Sequence, residues 1–251
     1  MKNLFKTLIV AGVVAALVCG CGASENAENA DGEKAAVLSV EEFGENLTEY
    51  VNVSKYSAAT VSEDGSNSTY SLNSDLHKEF AFNPAIYLDS NTKVTFPMTY
   101  EALKTEGWCA NSSSQANITL KPGCSASAQC VYGGKEITVY TVNYTEENMV
   151  YTDGTVDRIS FKLYSEEDNF EKKLETAPEF NFAGDIDNDS DINEVIRTLG
   201  DPSKITYSVV NENCSKITLL YQNIATYDYL KIEFNSDGTK ILNLDYHIDI
   251  R

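Results

Sequence analysis

From Ile217 to the C-terminus, apolar side chains fall on every second position in three successive runs: Ile217, Leu219 and Tyr221, then Leu230, Ile232 and Phe234, then Leu242, Leu244, Tyr246, Ile248 and Ile250. A helix, turning about 100° per residue, would scatter these side chains around its axis, whereas a strand places them on one face. Ile159, Phe161 and Leu163 repeat the pattern upstream. The chain must therefore build antiparallel sheet with one apolar face, and that face needs a cover.

The covers are helical segments that precede the strands. Thr99-Tyr100-Glu101-Ala102-Leu103-Lys104-Thr105-Glu106-Gly107-Trp108 reads as a short helix closed by glycine. Asp191 to Leu199 places Ile192, Val195, Ile196 and Leu199 on one stripe and stops at Gly200 and Pro202. Four strands are expected after each helix, at about 117–121, 127–132, 136–144 and 156–164, and again at about 204–210, 215–221, 229–235 and 240–249. Each last strand is entered through Asp-Gly-Thr, at Asp153-Gly154-Thr155 and Asp237-Gly238-Thr239, with the glycine expected at positive φ. Gly133-Gly134 predicts a two-residue hairpin. The fold class is thus α+β: tandem units of one short helix on a four-stranded antiparallel sheet, at 93–165 and 178–251. Whether the two sheets merge stays open, and so does a reading of the acidic stretch near 165–180 as a linker between unrelated domains.

Upstream, Lys2 and Lys6 precede an apolar run, Leu8 to Val18, too short to span a bilayer, which predicts a signal peptide over 1–20. Val18-Cys19-Gly20-Cys21 has the form of a bacterial lipobox, with Cys21 as the lipidated residue, so the expected location is extracytoplasmic and lipid-anchored. Residues 21–38, small and acidic, read as a flexible tether. Residues 39–92 form an N-terminal region. Its helix starts at the capping-box spacing Ser39…Glu42 and runs to about Val53, and two or three short strands follow, broken at Asp64-Gly65, Asn73-Ser74 and Asn83-Pro84.

The lipobox, the segment Val94 to Leu103 leading to Gly107-Trp108, and Ile192 to Ile196 leading to Leu199-Gly200-Asp201-Pro202 resemble uncharacterised surface lipoproteins of Gram-positive anaerobes. The order of helix, Leu-Gly-x-Pro and strands ending in Asp-Gly is also similar to the repeat of the β-lactamase-inhibitor-protein and small outer-membrane-assembly lipoprotein folds. The resemblance covers roughly 93–250 and implies a sheet used as a binding surface. It carries no inhibitory residues across.

Three groups of residues are candidates for chemistry. Asp185, Asp187, Asp189 and Asp191 occupy the first odd positions of a calcium loop, but the closing position holds Ile196 and the glycine position holds Ser190; the same residues also suit an acidic helix cap. Asp245, His247 and Asp249 lie on one face of the last strand, about 7 Å apart in succession, and are metal-ligand types or simply its solvated side. Among the later cysteines, Cys109 is expected to pair with Cys124 or Cys130, because the ends of a strand from 124 to 130 stand roughly 20 Å apart; free thiols are the alternative. No Gly-x-Ser-x-Gly, His-Glu-x-x-His, phosphate-binding loop or Cys-x-x-Cys occurs, and no cofactor is expected beyond the candidate calcium.

The 251-residue chain carries 38 acids against 19 Lys and Arg, a net charge of -19. Nucleic acid is disfavoured as a partner, and membrane contact is expected only through the anchor. The acids are expected on the tether, on the outward strand positions, at 165–175 and at 185–191. The function expected is a non-catalytic surface module recognising an envelope protein or ligand. A small-solute or glycan-binding receptor is the alternative, and a wall-active hydrolase the third.

Overall fold

The computed structural model describes residues 38–76, 85–89, 92–183, 186–223 and 226–249. Cys21, Asp185 and the signal-peptide and tether segments lie outside them, apart from Leu38 at the tether's end.

Helix α1 (Val40–Asn46) opens on the expected capping box: the Glu42 amide donates to Ser39 Oγ at 3.2 Å, and the Ser39 amide donates to Glu42 Oε2 at 2.7 Å. It is shorter than the apolar spacing suggests. Gly44 and Asn46 are weak helix formers, and the chain tightens into a 3-10 turn at Leu47–Glu49. Phe43 fixes the helix by stacking on Tyr207, with ring centroids 4.4 Å apart.

The hairpin β1 (Thr60–Val61) and β2 (Asn67–Ser71) turns at Asp64-Gly65. Next come β3 (Ile86–Leu88), β4 (Thr92–Val94), β5 (Met98–Thr99) and α2 (Tyr100–Thr105), the last capped by Thr99 Oγ1. After α2 lie β6 (Cys109–Ala110), α3 (Ser113–Ala116) and β7 (Thr119–Leu120). Gly133 and Gly134, both at positive φ, join β8 (Ser125–Tyr132) to β9 (Lys135–Val142). β10 (Met149–Val150), β11 (Thr155–Lys162), β12 (Phe180–Phe182) and β13 (Ile186–Asp187) lead to α4 (Ile192–Leu199). The chain then closes with β14 (Lys204–Asn211), β15 (Cys214–Gln222), β16 (Tyr229–Asn235) and β17 (Ile241–His247).

The fold is α+β with several antiparallel sheets. Among the described residues the largest has eleven strands in the order β1-β2-β14-β15-β16-β17-β11-β9-β8-β6, with β5 beside β11. Strands of the two expected units therefore share one sheet. β17 and β11, the last strand of each, pair in antiparallel register from Arg158 opposite His247 to Lys162 opposite Asn243. The reason is elementary: each run of hairpins leaves its final strand with an unpaired edge, and joining the two edges satisfies both. β7, expected as the first strand of the upstream unit, instead pairs with β10 in a separate two-stranded sheet. β6 takes the edge beside β8. The hairpin β1-β2 extends the other edge through β14, so N-terminal residues enter the same sheet.

The apolar face is covered by α1, α2, α4 and a four-stranded sheet, β13-β12-β3-β4, whose buried residues belong to the same core cluster. Tyr246 sits at its centre, edge-on to Phe96 at 5.0 Å and to Phe182 at 5.6 Å. The 165–175 stretch is not a free linker. It folds back through a Tyr164–Lys173 bridge, and the Leu174 amide donates to the Leu163 carbonyl.

The two Asp-Gly-Thr entries differ. Gly238 has φ +71, as a hairpin turn requires, but Gly154 has φ -79 and ends a 3-10 turn. At Gly154 the constraint is space: an added Cβ would lie 3.2 Å from both Thr141 Cβ and the Val142 carbonyl oxygen.

Candidate functional site

Strand parity and register determine which side chains share the face opposite the core. Tyr229, His247, Arg158, Tyr140 and Ser127 form one transverse row across five strands. Lys231, Asp245, Ser160, Thr138 and Gln129 form the next. Glu233, Asn243 and Lys162 begin a third. Lys204 and Lys216 stand on the same face, on β14 and β15.

Arg158 anchors the centre. Its Nε and Nη2 donate to the two carboxylate oxygens of Asp245 at 2.7 and 2.6 Å, and its guanidinium lies 4.1 Å over the Tyr140 ring. Burial opposes the guanidinium charge, but the Asp245 hydrogen bonds and charge outweigh it and raise the Arg158 pKa. One row over, Glu233 lies between Lys231, at 3.2 Å, and Lys216, at 3.4 Å. Burial pushes the Glu233 carboxyl up; the two lysines more than reverse this and hold it below its ordinary value.

A β-bulge in β11 between Val156 and Arg158 makes Asp157 the extra residue. Its carboxylate accepts from Tyr144 Oη at 3.0 Å and lies 3.8 Å from His247 Nε2. Burial raises the Asp157 pKa, against the lowering effects of Tyr144 and His247.

The outward positions of the central strands therefore carry Lys204, Lys216, Lys231, Lys162 and Arg158 against Glu233, Asp245 and Glu136. This corrects the expectation that outward strand positions hold the acid excess. In a chain of net charge -19, this face is where cations gather.

Of the sequence candidates for metal binding, Asp245, His247, Asp191 and Asp187 have side chains engaged with other groups. Asp245 is engaged by Arg158, and His247 Nδ1 lies 3.3 Å from the Tyr227 carbonyl. The Asp249 amide donates to Asp228 Oδ1 at 2.7 Å. Asp191 caps α4, accepting from the Glu194 amide at 2.8 Å while Glu194 Oε2 accepts from the Asp191 amide. Asp187 Oδ1 accepts from the Asp189 amide at 3.0 Å. Among the described residues no three His, Cys, Asp or Glu side chains converge on a metal position.

The four described cysteines are free thiols. Cys109 stands opposite Val131, and Ala110 opposite Cys130, so Cys109 and Cys130 point to opposite faces of the sheet. Cys124 precedes the far end of β8, roughly 23 Å along the strand from Val131. Neither expected pairing is within reach. Burial pushes the Cys130 thiol up to about 12 and raises that of Cys214. Brief alkylation of the native protein should accordingly modify Cys109 and Cys124 and spare Cys130 and Cys214 until urea is added. Peptide mapping reads the result, and fast labelling of Cys130 would contradict this burial.

Sequence reading missed Arg158, Lys162 and Glu136. Parity alone could have put Arg158 and Lys162 on the outward face, opposite Ile159, Phe161 and Leu163. Their neighbours on β17 and β9 follow only from the sheet order. Compared with protein-family models, with curated proteins and with solved structures, the chain matches none.

Proposed function

We propose that this chain is a lipid-anchored, non-catalytic surface protein whose polar sheet face recognises an acidic patch on another envelope protein. The observation that carries the reading is the concentration of Lys204, Lys216, Lys231, Lys162 and Arg158 on one face of a shared sheet in an otherwise acidic chain. Such a patch steers an acidic surface toward this face, while the acidic remainder of the chain repels the same surface elsewhere. In this reading Cys21 carries the lipid anchor.

The same reading treats 93–165 and 178–251 as tandem helix-and-sheet units. In each, the last strand lies at the central seam and the earlier strands step outward, β9 and β8 on one side and β16, β15 and β14 on the other. The resemblance to the β-lactamase-inhibitor-protein and outer-membrane-assembly lipoprotein folds rests on the sequence motifs, and implies a sheet used as a binding surface.

The test is site-specific photo-crosslinking on living cells. A photoreactive residue at Thr218 or Leu220, on the polar face, should capture one discrete envelope protein, and the same residue at Glu63, in the turn of the β1-β2 edge hairpin, should not. Equal capture from both places, or none from any polar-face position, would overturn the proposal. Labelled fatty acid should enter the parent chain and not Cys21→Ala.

A further inference from the structure

A pocket of about 340 Å³ opens on the polar face where β9 and β11 part company. Ser160 opposite Thr138 is the last register pair between these strands. Continuing the ladder would set Lys162 directly against Glu136, a cross-strand ion pair. The strands instead separate. The Glu136 amide donates to the Thr176 carbonyl, and the Leu174 amide donates to the Leu163 carbonyl, so the 174–176 segment stands between the two strand ends. Lys162 and Glu136 both line the resulting void, and neither side chain has an ion-pair or hydrogen-bond partner among the described residues.

The remaining charges of the pocket already have partners. Arg158 and Asp245 neutralise each other, and Lys231 pairs with Glu233, a carboxylate it shares with Lys216. Gln129, Thr138, Ser160 and Thr176 supply neutral hydrogen-bonding groups. The unsatisfied chemistry is one cation and one anion facing a shared space. A simple anion would meet repulsion from Glu136, a simple cation would meet it from Lys162, and a neutral sugar would bring no countercharge to either. A ligand bearing an ammonium and a carboxylate forms charge-assisted hydrogen bonds with both. The volume lies near the small end of ligand pockets, which limits the size of such a molecule.

We propose that this pocket binds a small zwitterion of the amino-acid or dipeptide class, its carboxylate at Lys162 and its ammonium at Glu136. The site stands whether or not a protein docks on the rest of the face, and its test is separate from crosslinking. Both charged groups are partly open to solvent, so affinity is set at a Kd on the order of 1 mM.

The experiment is an NMR titration of the full chain with L-alanyl-L-alanine, following the amides of Thr138, Ser160 and Thr176. Saturable shifts are expected. The N-acetylated dipeptide, lacking the ammonium, and the dipeptide amide, lacking the carboxylate, should each bind ~10-fold more weakly. Lys162→Met and Glu136→Gln should each weaken the dipeptide by a similar factor with Tm unchanged, since neither side chain is buried. The exchanged pair Glu136→Lys/Lys162→Glu should restore binding, because the ligand can enter reversed. Unsaturable or absent shifts, equal binding of the blocked dipeptides, or unaltered binding by the single variants would each overturn the assignment.

Discussion

Replacing Gly238 by alanine is expected to lower stability by about 3 kcal/mol, or about 6–12 °C in Tm. Gly238 sits in the turn that enters β17, at φ +71, a region where an L side chain is strained. Its carbonyl accepts the Ile192 amide at 2.8 Å, so the start of α4 rests directly on the turn. An added Cβ would lie 2.6 Å from Ile192 Cγ2 and 3.1 Å from Ile192 Cβ. Ile192 is buried in the core and has nowhere to retreat. Gly65 is the control: its φ is +70, but a Cβ there meets nothing within 4 Å, so Gly65→Ala should cost only about 1 kcal/mol. Urea unfolding of both variants measures the difference. Equal losses would show that backbone conformation alone, and not the seating of α4, makes Gly238 necessary.

The second large effect is expected at Arg158. Its side chain is 31% exposed while that of Asp245 is 7% exposed, so removing the guanidinium strands a buried carboxylate. Arg158→Met retains the aliphatic contact over Tyr140 and should still cost about 2–3 kcal/mol, below the range for fully buried pairs because of the partial exposure. Adding Asp245→Asn should recover most of the loss, since an amide can remain in the site without charge. The double-mutant cycle therefore reports a coupling of about 1.5–2 kcal/mol. Strict additivity of the two changes would mean that the bidentate pair does not hold the β11-β17 seam.

How far the sequence carried the fold can be traced strand by strand. Where burial is one-sided, parity sufficed: Ile217, Leu219 and Tyr221, or Leu230, Ile232 and Phe234, are buried as alternation requires. It failed at Leu242, the extra residue of a bulge in β17 opposite Glu233 and Phe234. Ile241 takes the place opposite Phe234, and Leu242 packs instead with Phe170 and Cys214. A bulge is invisible to periodicity because it arises from the partner strand. Thr119 and Leu120 were legible as strand, but their partners Met149 and Val150 were not.

The candidate site divides in the same way. Asp191 as the cap of α4 and Ser39 as the cap of α1 depend on residues three positions apart, and local sequence contains that information. The residue types Arg158, Lys162 and Glu136, and their outward parity, were also present in it. What brings them to one place is the pairing of β11 with β17 across 87 residues of chain, from Arg158 to Asp245, and the wedge of 174–176 beside β9. Sequence by itself thus determined the alternation, the helix stops and the caps, because each is governed by neighbours within a turn or a strand. Tertiary structure alone decided that two hairpin series share one sheet, that the cations collect on its polar face, and that Lys162 and Glu136 face a void rather than each other. Those outcomes depend on which free edges meet, and edges are satisfied by partners distant in the chain.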